Sequence, residues 1–351
     1  MFKKLIWGTL IVVLLAAAAI GFRFFTSNTP FNSNHKYLYI RTGHATFAEV
    51  VKTVQDSNLV SNPGSFEWIG HRMDLDEKIK PGRYEIRKGM SLFSIARMLR
   101  NGRQSAVNLV ITKLRTRADL ASLIGRKFEC DSASVMDYMN NKDSMSAYGF
   151  DSVSIMTAIY PNTYTYFWNN TPEGIFKKFF AEYKKVWTDE RKNKAAALGL
   201  TATQAYTLAS IVEEETNANE EKGNIASVYY NRYKKGMKLQ ADPTVKFALG
   251  DFSLRRIYEK HLLAESPYNT YRVVGLPPGP ICTPQLVTLD AVLNQPATNY
   301  LFFVAKSDFS GRHTFSETYE QHLVNAKAFQ KALDSVQALK KPAKEDIGTQ
   351  K

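Results

Sequence analysis

The apolar positions of this chain change period several times, and each change predicts an element. Residues 5–22 carry no charge and follow Lys3 and Lys4, an apolar run just long enough for a helix to cross a bilayer. Residues 26–35 are rich in Asn and Ser and read as a spacer. A strand at residues 37–40 precedes Phe47, Val50, Val51 and Val54, whose i, i+3, i+4, i+7 spacing predicts a helix. Residues 82–92 read as a strand running into a turn, and Leu92, Ile95, Ala96 and Leu99 then mark one face of a second helix. From Val107 to Trp187 the pattern is mostly helical. Thr201, with Gln204 three residues on, is a capping box that starts another helix. Residues 300–305 and 312–315 form a hairpin joined by 306–311, and a last helix covers about 319–339.

This order divides the chain into a cytoplasmic N-terminus (1–4), a transmembrane anchor (5–25), a linker (26–35), a small α/β module (36–105), a larger domain (106–340) and a disordered Lys-rich tail (341–351). There is no internal repeat. Helices and strands mix without the regular alternation of a parallel sheet, so the class is α+β. The basic residues before the apolar run place everything after it outside the cytoplasm. A cleaved signal peptide competes, because Ala16 to Ala19 offer small residues at the right distance. Arg23, Phe24 and Phe25 favour a retained anchor, as a basic and aromatic trio suits the membrane interface. No Cys lies near this segment, which argues against a lipoprotein.

The 351 residues include 46 Lys and Arg against 33 Asp and Glu, a formal net charge of +13. A spanning anchor takes the chain away from nucleic acid and leaves the outer leaflet and anionic wall polymers as the nearer partners. Surface lysines serving solubility account for such a balance equally well. Cys130 and Cys282 either pair or remain separate thiols, and their distance in sequence favours separation. The six His residues lack metal-binding spacing, and no Gly-rich phosphate loop or Gly-x-Ser-x-Gly elbow is present, so neither metal nor cofactor is expected.

The densest chemistry lies between Ala209 and Thr244. Taking Leu208 as zero and about 100° per residue, Ala205, Ile211 and Val212 define an inward stripe, and Glu215 falls inside it at about 340°. Glu213 and Glu214 point about 140° and 240° around, which predicts that only one of the three carboxylates faces the core. Glutamates near a helix end usually form a solvated face. A carboxyl held among apolar groups instead has a raised pKa and a proton to give. Gln240, Asp242 and Thr244 form a polar cluster around Pro243, and rigid loops at 267–271 and 275–280 carry hydroxyls, amides and aromatic faces of the kind that bind sugars.

These stretches resemble the endolytic murein transglycosylases, the YceG-like proteins. The resemblance rests on residues 209–216, 226–232, 239–244, 268–271 and 275–280, on His313-Thr314-Phe315 after Gly311, and on Tyr160-Pro161-Asn162-Thr163-Tyr164 upstream. It covers nearly the whole chain. Departures are Glu214, where a basic residue is common, and Arg312, inserted before His313. The resemblance implies that Glu215 is the catalytic acid. It also implies cleavage between MurNAc and GlcNAc with 1,6-anhydro ends, in termination of nascent glycan strands. Gln240, Asp242, Thr244, Tyr268, Asn269, Thr270 and His313 are the expected substrate-binding residues, each with a purely structural alternative. Residues 36–105 look like a LysM-type module, which either holds glycan or only positions the larger domain. The expected setting is the inner membrane with the catalytic domain in the periplasm, murein and membrane as partners, and peptidoglycan synthases (penicillin-binding proteins) as further ones. A lysozyme-type hydrolase, with Asp242 as second carboxylate, and a noncatalytic wall-binding scaffold are the rival readings.

Overall fold

A computed structural model describes residues 2–340; the tail expected at 341–351 lies outside the described residues. The chain forms two compact units, one of Met1–Leu109, Ala121–Val135 and Thr163–Ile175, the other of Val110–Leu120, Met136–Asn162 and Phe176–Lys351. Residues 121–135 and 163–175, placed by the sequence reading in the larger domain, are thus grouped with the first unit. The mixed α+β class expected from the sequence holds.

The chain opens with α1 (Phe2–Phe25), a helix long and apolar enough to cross a membrane, whose side chains from Ile6 to Leu15 are exposed. Near its end Phe24 stacks on Trp68 and Phe25 meets Phe93. Strand β1 (His35–Ile40) leads into α2 (Phe47–Asp56), α3 (Pro63–Arg72) and the short α4 (Leu75–Lys78). Then come β2 (Gly82–Arg87), antiparallel to β1 from His35↔Arg87 to Ile40↔Gly82, and α5 (Leu92–Arg100). One face of each element meets in a core around Leu38, Phe47, Val54, Phe66, Tyr84, Ile86, Ile95 and Leu99. Val51 reaches this core only from its edge.

The stretch expected to be mostly helical does contain helices: α6 (Arg117–Gly125), α7 (Ser132–Asn140), α8 (Lys142–Ser146), α9 (Pro172–Val186) and α10 (Asp189–Ala197). It also holds two strands the reading missed, β3 (Ala106–Ile111) and β4 (Asn162–Phe167), which pair with each other. Both alternate exposed and buried side chains in the period-two manner of a half-covered strand, as Tyr164 and Tyr166 show in β4.

Helix α11 (Ala202–Glu215) starts where the capping box placed it: Thr201 Oγ1 accepts the Gln204 N–H at 3.1 Å, and Gln204 Oε1 accepts the Thr201 N–H at 2.9 Å. It runs through the middle of the second core, with every residue from Ala205 to Glu213 buried. Around it pack α12 (Lys222–Lys234), α13 (Asp242–Leu249) and, beyond the short α14 (Glu259–Leu262), α15 (Leu286–Leu293). The hairpin of β5 (Phe302–Ala305) and β6 (His313–Ser316), registered Phe302↔Ser316 to Ala305↔His313, and α16 (Tyr319–Lys340) complete the unit. Cys130 and Cys282 are both free thiols.

One buried ion pair fixes α11 against its neighbours. Lys222 Nζ, at the start of α12, donates to Glu213 Oε2 at 3.1 Å and to Thr288 Oγ1 of α15 at 2.7 Å, and the Thr288 hydroxyl donates to the same carboxylate. Both charged residues are almost sealed from water, at 5 % and 2 % exposure. Removing one partner strands the other charge in the core. Lys222→Met should therefore cost about 3–5 kcal/mol, whereas Glu213→Gln combined with Lys222→Met should recover most of the loss. Thermal unfolding of the three proteins in detergent checks this; a single variant as stable as the parent would show that the pair does not hold the helix.

Candidate active site

Three successive carboxylates end α11, and the structure gives each a different environment. The expectation that Glu215 alone faces inward is corrected: Glu213 is the most buried of the three. The projection assumed one inward stripe, but α11 is covered on all sides, so it has no solvent face for Glu213 to occupy. Glu214 is half-buried between Lys113 Nζ at 3.2 Å and Arg115 Nη2 at 3.1 Å. Burial pushes its carboxyl up, but the two cations outweigh that and leave it below the usual carboxylate range.

Glu215, the last residue of the helix, opens into a cavity of about 360 Å³. Its Oε1 accepts a hydrogen bond of 2.5 Å from the hydroxyl of Tyr229, which α12 carries alongside. Burial dominates its titration and drives the carboxyl up to about 7; the Tyr229 hydrogen bond opposes the shift, and the negative charge of Asp242 adds to it. A group in this state is a reservoir for one proton near neutral pH.

Only some of the expected site residues share this cavity. Gln240 and Asp242 line it with Glu215. Gln240 holds a left-handed backbone (φ 52°) just before α13, and Asp242 starts that helix ahead of Pro243, with one carboxylate oxygen accepting 2.6 Å from the Tyr271 hydroxyl. The helical projection supplied one carboxylate, whereas the cavity contains two. Asp242 arrives because α13 packs on α11, a tertiary convergence that no single-helix projection contains.

Thr244, Tyr268, Asn269 and Thr270 are not cavity-lining residues; they build the support behind the wall. The Thr244 and Thr270 hydroxyls share a 2.8 Å hydrogen bond, and Thr270 Oγ1 also accepts the Ala241 N–H at 3.0 Å. Asn269 is fully buried, its amide donating to the carbonyls of Leu262 and Ala264. Tyr268 packs on Phe247 with centroids 4.6 Å apart. Buried polar groups must be paired, so these loop residues satisfy one another. His313 is likewise taken up elsewhere, its N–H donating to Glu221 Oε1 at 2.8 Å and its Nδ1 lying 3.1 Å from Glu221 Oε2. The inserted Arg312 pairs with Glu220 at 2.7 Å.

The rest of the lining was missed: Tyr229, Arg232, Tyr271, and Phe302, Phe303, Tyr319 and His322 from the C-terminal hairpin and α16. Arg232 is both wall and brace, donating through Nε to the Leu301 carbonyl and through Nη1 to the Leu239 carbonyl, each at 2.7 Å, while its guanidinium lies over Phe302. Its neighbour Asn231 donates to the carbonyls of Thr298 and Tyr300. Asn231 and Arg232 thus tie the segment leading into the hairpin and the carbonyl of Leu239 to α12. His322 stacks on Phe302, and burial with the nearby Arg232 holds its imidazole below the usual range. Periodicity could not reveal these residues, because a Tyr or Phe on a helix or strand reads as core. The one available signal was their position in and beside the motif stretches. No group of His, Cys, Asp and Glu suited to a metal ion occurs among the described residues.

Comparison with known proteins finds several relatives. The chain is 31% identical over 264 residues to an endolytic murein transglycosylase of Bacillus subtilis (strain 168), an alignment covering 69% of this chain and 70% of that protein. It is 25% identical over 349 residues to an endolytic murein transglycosylase of Streptococcus pneumoniae, covering 89% of this chain but 62% of that protein's length. The crystal structure of a yceG-like protein from Listeria monocytogenes superposes with a TM-score of 0.55 at 28% identity, over 84% of this chain and 99% of that one. A model of the YceG-like family matches residues 38–328, and the chain belongs to that family.

Proposed function

We propose that this chain is a murein transglycosylase, membrane-anchored through α1, that cuts glycan strands by means of Glu215. The observation that carries the reading is a carboxyl at the end of a core helix, hydrogen-bonded by Tyr229 and open to a cavity lined with aromatic and polar groups, where burial raises its pKa. The names of the Bacillus and Streptococcus relatives support the same activity. In this mechanism protonated Glu215 gives its proton to the glycosidic oxygen between MurNAc and GlcNAc. As the bond breaks, positive character develops at C1. The carboxylate, now charged, takes the proton of the C6 hydroxyl while that oxygen closes on C1 as a 1,6-anhydro ring, so no water is consumed. Tyr229 orients the carboxyl through its hydrogen bond, and Tyr271, Phe302 and Tyr319 offer faces for the sugar rings.

The setting belongs to the same reading. The exposed apolar surface of α1 supports an anchor in the inner membrane, with the remainder in the periplasm beside the synthases whose nascent strands it would terminate. The strand, turn and helix of 82–100 support a LysM-like module that keeps the catalytic unit near glycan. A second reading has an observation of its own: Asp242 lines the same cavity, as a lysozyme-type hydrolase with two carboxylates requires.

Product analysis separates the two. Digestion of purified murein should give anhydro ends by mass spectrometry; reducing ends would establish the hydrolase. Glu215→Gln keeps the volume but has no transferable proton, so turnover should fall at least ~100-fold with the fold retained, while Glu214→Gln costs far less. Equal losses in both variants would remove Glu215 from the role of acid.

The pH dependence carries a sign for each neighbour. Glu215 must begin protonated, so the rate should fall on the alkaline side through about pH 7. Tyr229→Phe deletes a hydrogen bond that favours the charged form and should move this limb to higher pH; Asp242→Asn deletes a charge that disfavours it and should move the limb lower. Rate against pH for the three proteins tests both directions, and limbs that stay fixed would show that another group titrates.

The same shift bears on stability. The carboxyl is raised in the folded state above the ordinary value of about 4.3, so its contribution is fully present below that value and is lost as pH rises to about 7. At pH 8 Glu215→Gln should therefore be more stable than the parent, by on the order of 3 kcal/mol, and the gain should vanish near pH 4. Unfolding of both proteins at the two pH values measures this difference.

A further inference from the structure

A second concave surface lies in the first unit and plays no part in the chemistry above. It is a groove of about 640 Å³ between β2, α5 and the segment leading into β3, and four arginines face it: Arg83, Arg87, Arg97 and Arg103. A single acidic residue joins them, Glu85, whose carboxylate accepts from Arg87 Nε at 2.9 Å. Arg83 is held in place: its guanidinium lies 4.2 Å from the Tyr37 ring centroid, its Nε donates to Ser105 Oγ at 3.1 Å, and an Nη donates to the Ala106 carbonyl. Arg97 and Arg103 are exposed, and among the described residues neither has a carboxylate partner. Like charges gathered in one groove repel each other unless an anion is brought among them.

The position of the groove says which anion. Helix α1 ends at Phe25, whose ring lies 4.9 Å from that of Phe93 in α5, and Arg97 sits over the same Phe93 ring at 5.5 Å. Just past the anchor, the Asn28 N–H donates to the carbonyl of Met90, itself a groove residue, at 3.0 Å. The arginines therefore lie within a few side chains of the point where the apolar helix ends. Guanidinium forks match the oxygens of a phosphate, and basic clusters beside a membrane segment draw anionic lipid.

We propose that this groove binds the phosphate of an anionic lipid headgroup and so fixes the first unit against the membrane surface. The proposal rests on α1 being a retained anchor. Its test is arranged to read the groove independently of that assignment.

The full-length chain in detergent micelles is titrated with short-chain phosphatidylglycerol, with short-chain phosphatidylcholine and with inorganic phosphate, and the adducts are counted by native mass spectrometry. Phosphatidylglycerol should bind well ahead of phosphatidylcholine. Arg97→Gln with Arg103→Gln, both exposed and outside the core, should lower its affinity roughly fivefold for each arginine removed. Lys234→Gln with Lys235→Gln, which removes the same charge from the end of α12, should leave it unchanged. Equal losses in the two pairs, or no preference between the lipids, would overturn the site. Inorganic phosphate binding as tightly as phosphatidylglycerol would replace the lipid with free phosphate as the ligand. Because the lipid is delivered in detergent, a chain whose N-terminal helix proves to be cleaved in cells would remove the anchor without altering this result.

Discussion

A helix turns about 100° per residue, so three consecutive glutamates point in different directions, and α11 lies so deep in its core that each of them meets different neighbours. The rest of the site follows from this constraint. Glu213 is neutralised by Lys222 and Thr288, and Glu214 by Lys113 and Arg115. Among the described residues, Glu215 has no cation in hydrogen-bond contact and accepts from the hydroxyl of Tyr229. For Glu214 the two cations outweigh burial and keep its carboxyl below the usual range. The third, Glu215, has its desolvation only partly offset, and its carboxyl is driven up to about 7 instead. Adjacent residues of one type thus acquire separate duties from what the neighbouring helices bring to them.

The motif residues form two layers around that carboxyl. Glu215, Tyr229, Gln240, Asp242 and Tyr271 face the cavity, while Asn231, Thr244, Asn269 and Thr270 hold the backbone that presents them. From sequence the layers look alike, since both are polar residues in loops or at helix ends. What separates them is whether each polar atom finds its partner inside the fold. Thr244 was legible as a member of a polar cluster, but its hydroxyl is spent on Ala241 and Thr270. Tyr229 gave the opposite error. It lies within a matching stretch, yet a tyrosine on a helix looks like core, and only the facing end of α11 gives its hydroxyl the Glu215 carboxyl as partner.

The elements themselves were more legible where local chemistry decides them. The Thr201 and Gln204 capping box started α11 where expected because both hydrogen bonds are closed within four residues. The helix bearing Leu92, Ile95, Ala96 and Leu99 buries those four side chains, since one apolar stripe meets one core. The rule failed on α11, where helices cover every side and a stripe no longer tells in from out. It also failed at β3 and β4, whose two-residue alternation was present but lay within a longer stretch of helical pattern. Phe302, Tyr319 and His322 were beyond any local rule, because they approach Glu215 from more than 80 positions along the chain.

Asp242 is where the geometry bears most directly on the choice of mechanism. A second carboxylate in the cavity looks at first like the base a hydrolase needs to activate water. Its electrostatics also serve a reaction with a single acid. While Glu215 is protonated, the charge of Asp242 helps keep the proton in place. In the proposed reaction, once the proton has passed to the glycosidic oxygen, the same charge would make the Glu215 carboxylate a stronger base for the C6 hydroxyl proton. In the proposed cycle the charge of Asp242 would thus serve both halves, and its hydrogen bond from Tyr271 fixes the carboxylate that lines the cavity with Glu215. On this account the cavity contains two carboxylates but one acid, and the distance in role between them is set by their surroundings: Glu215 is walled in by its own helix and Tyr229, and Asp242 sits exposed at the start of α13.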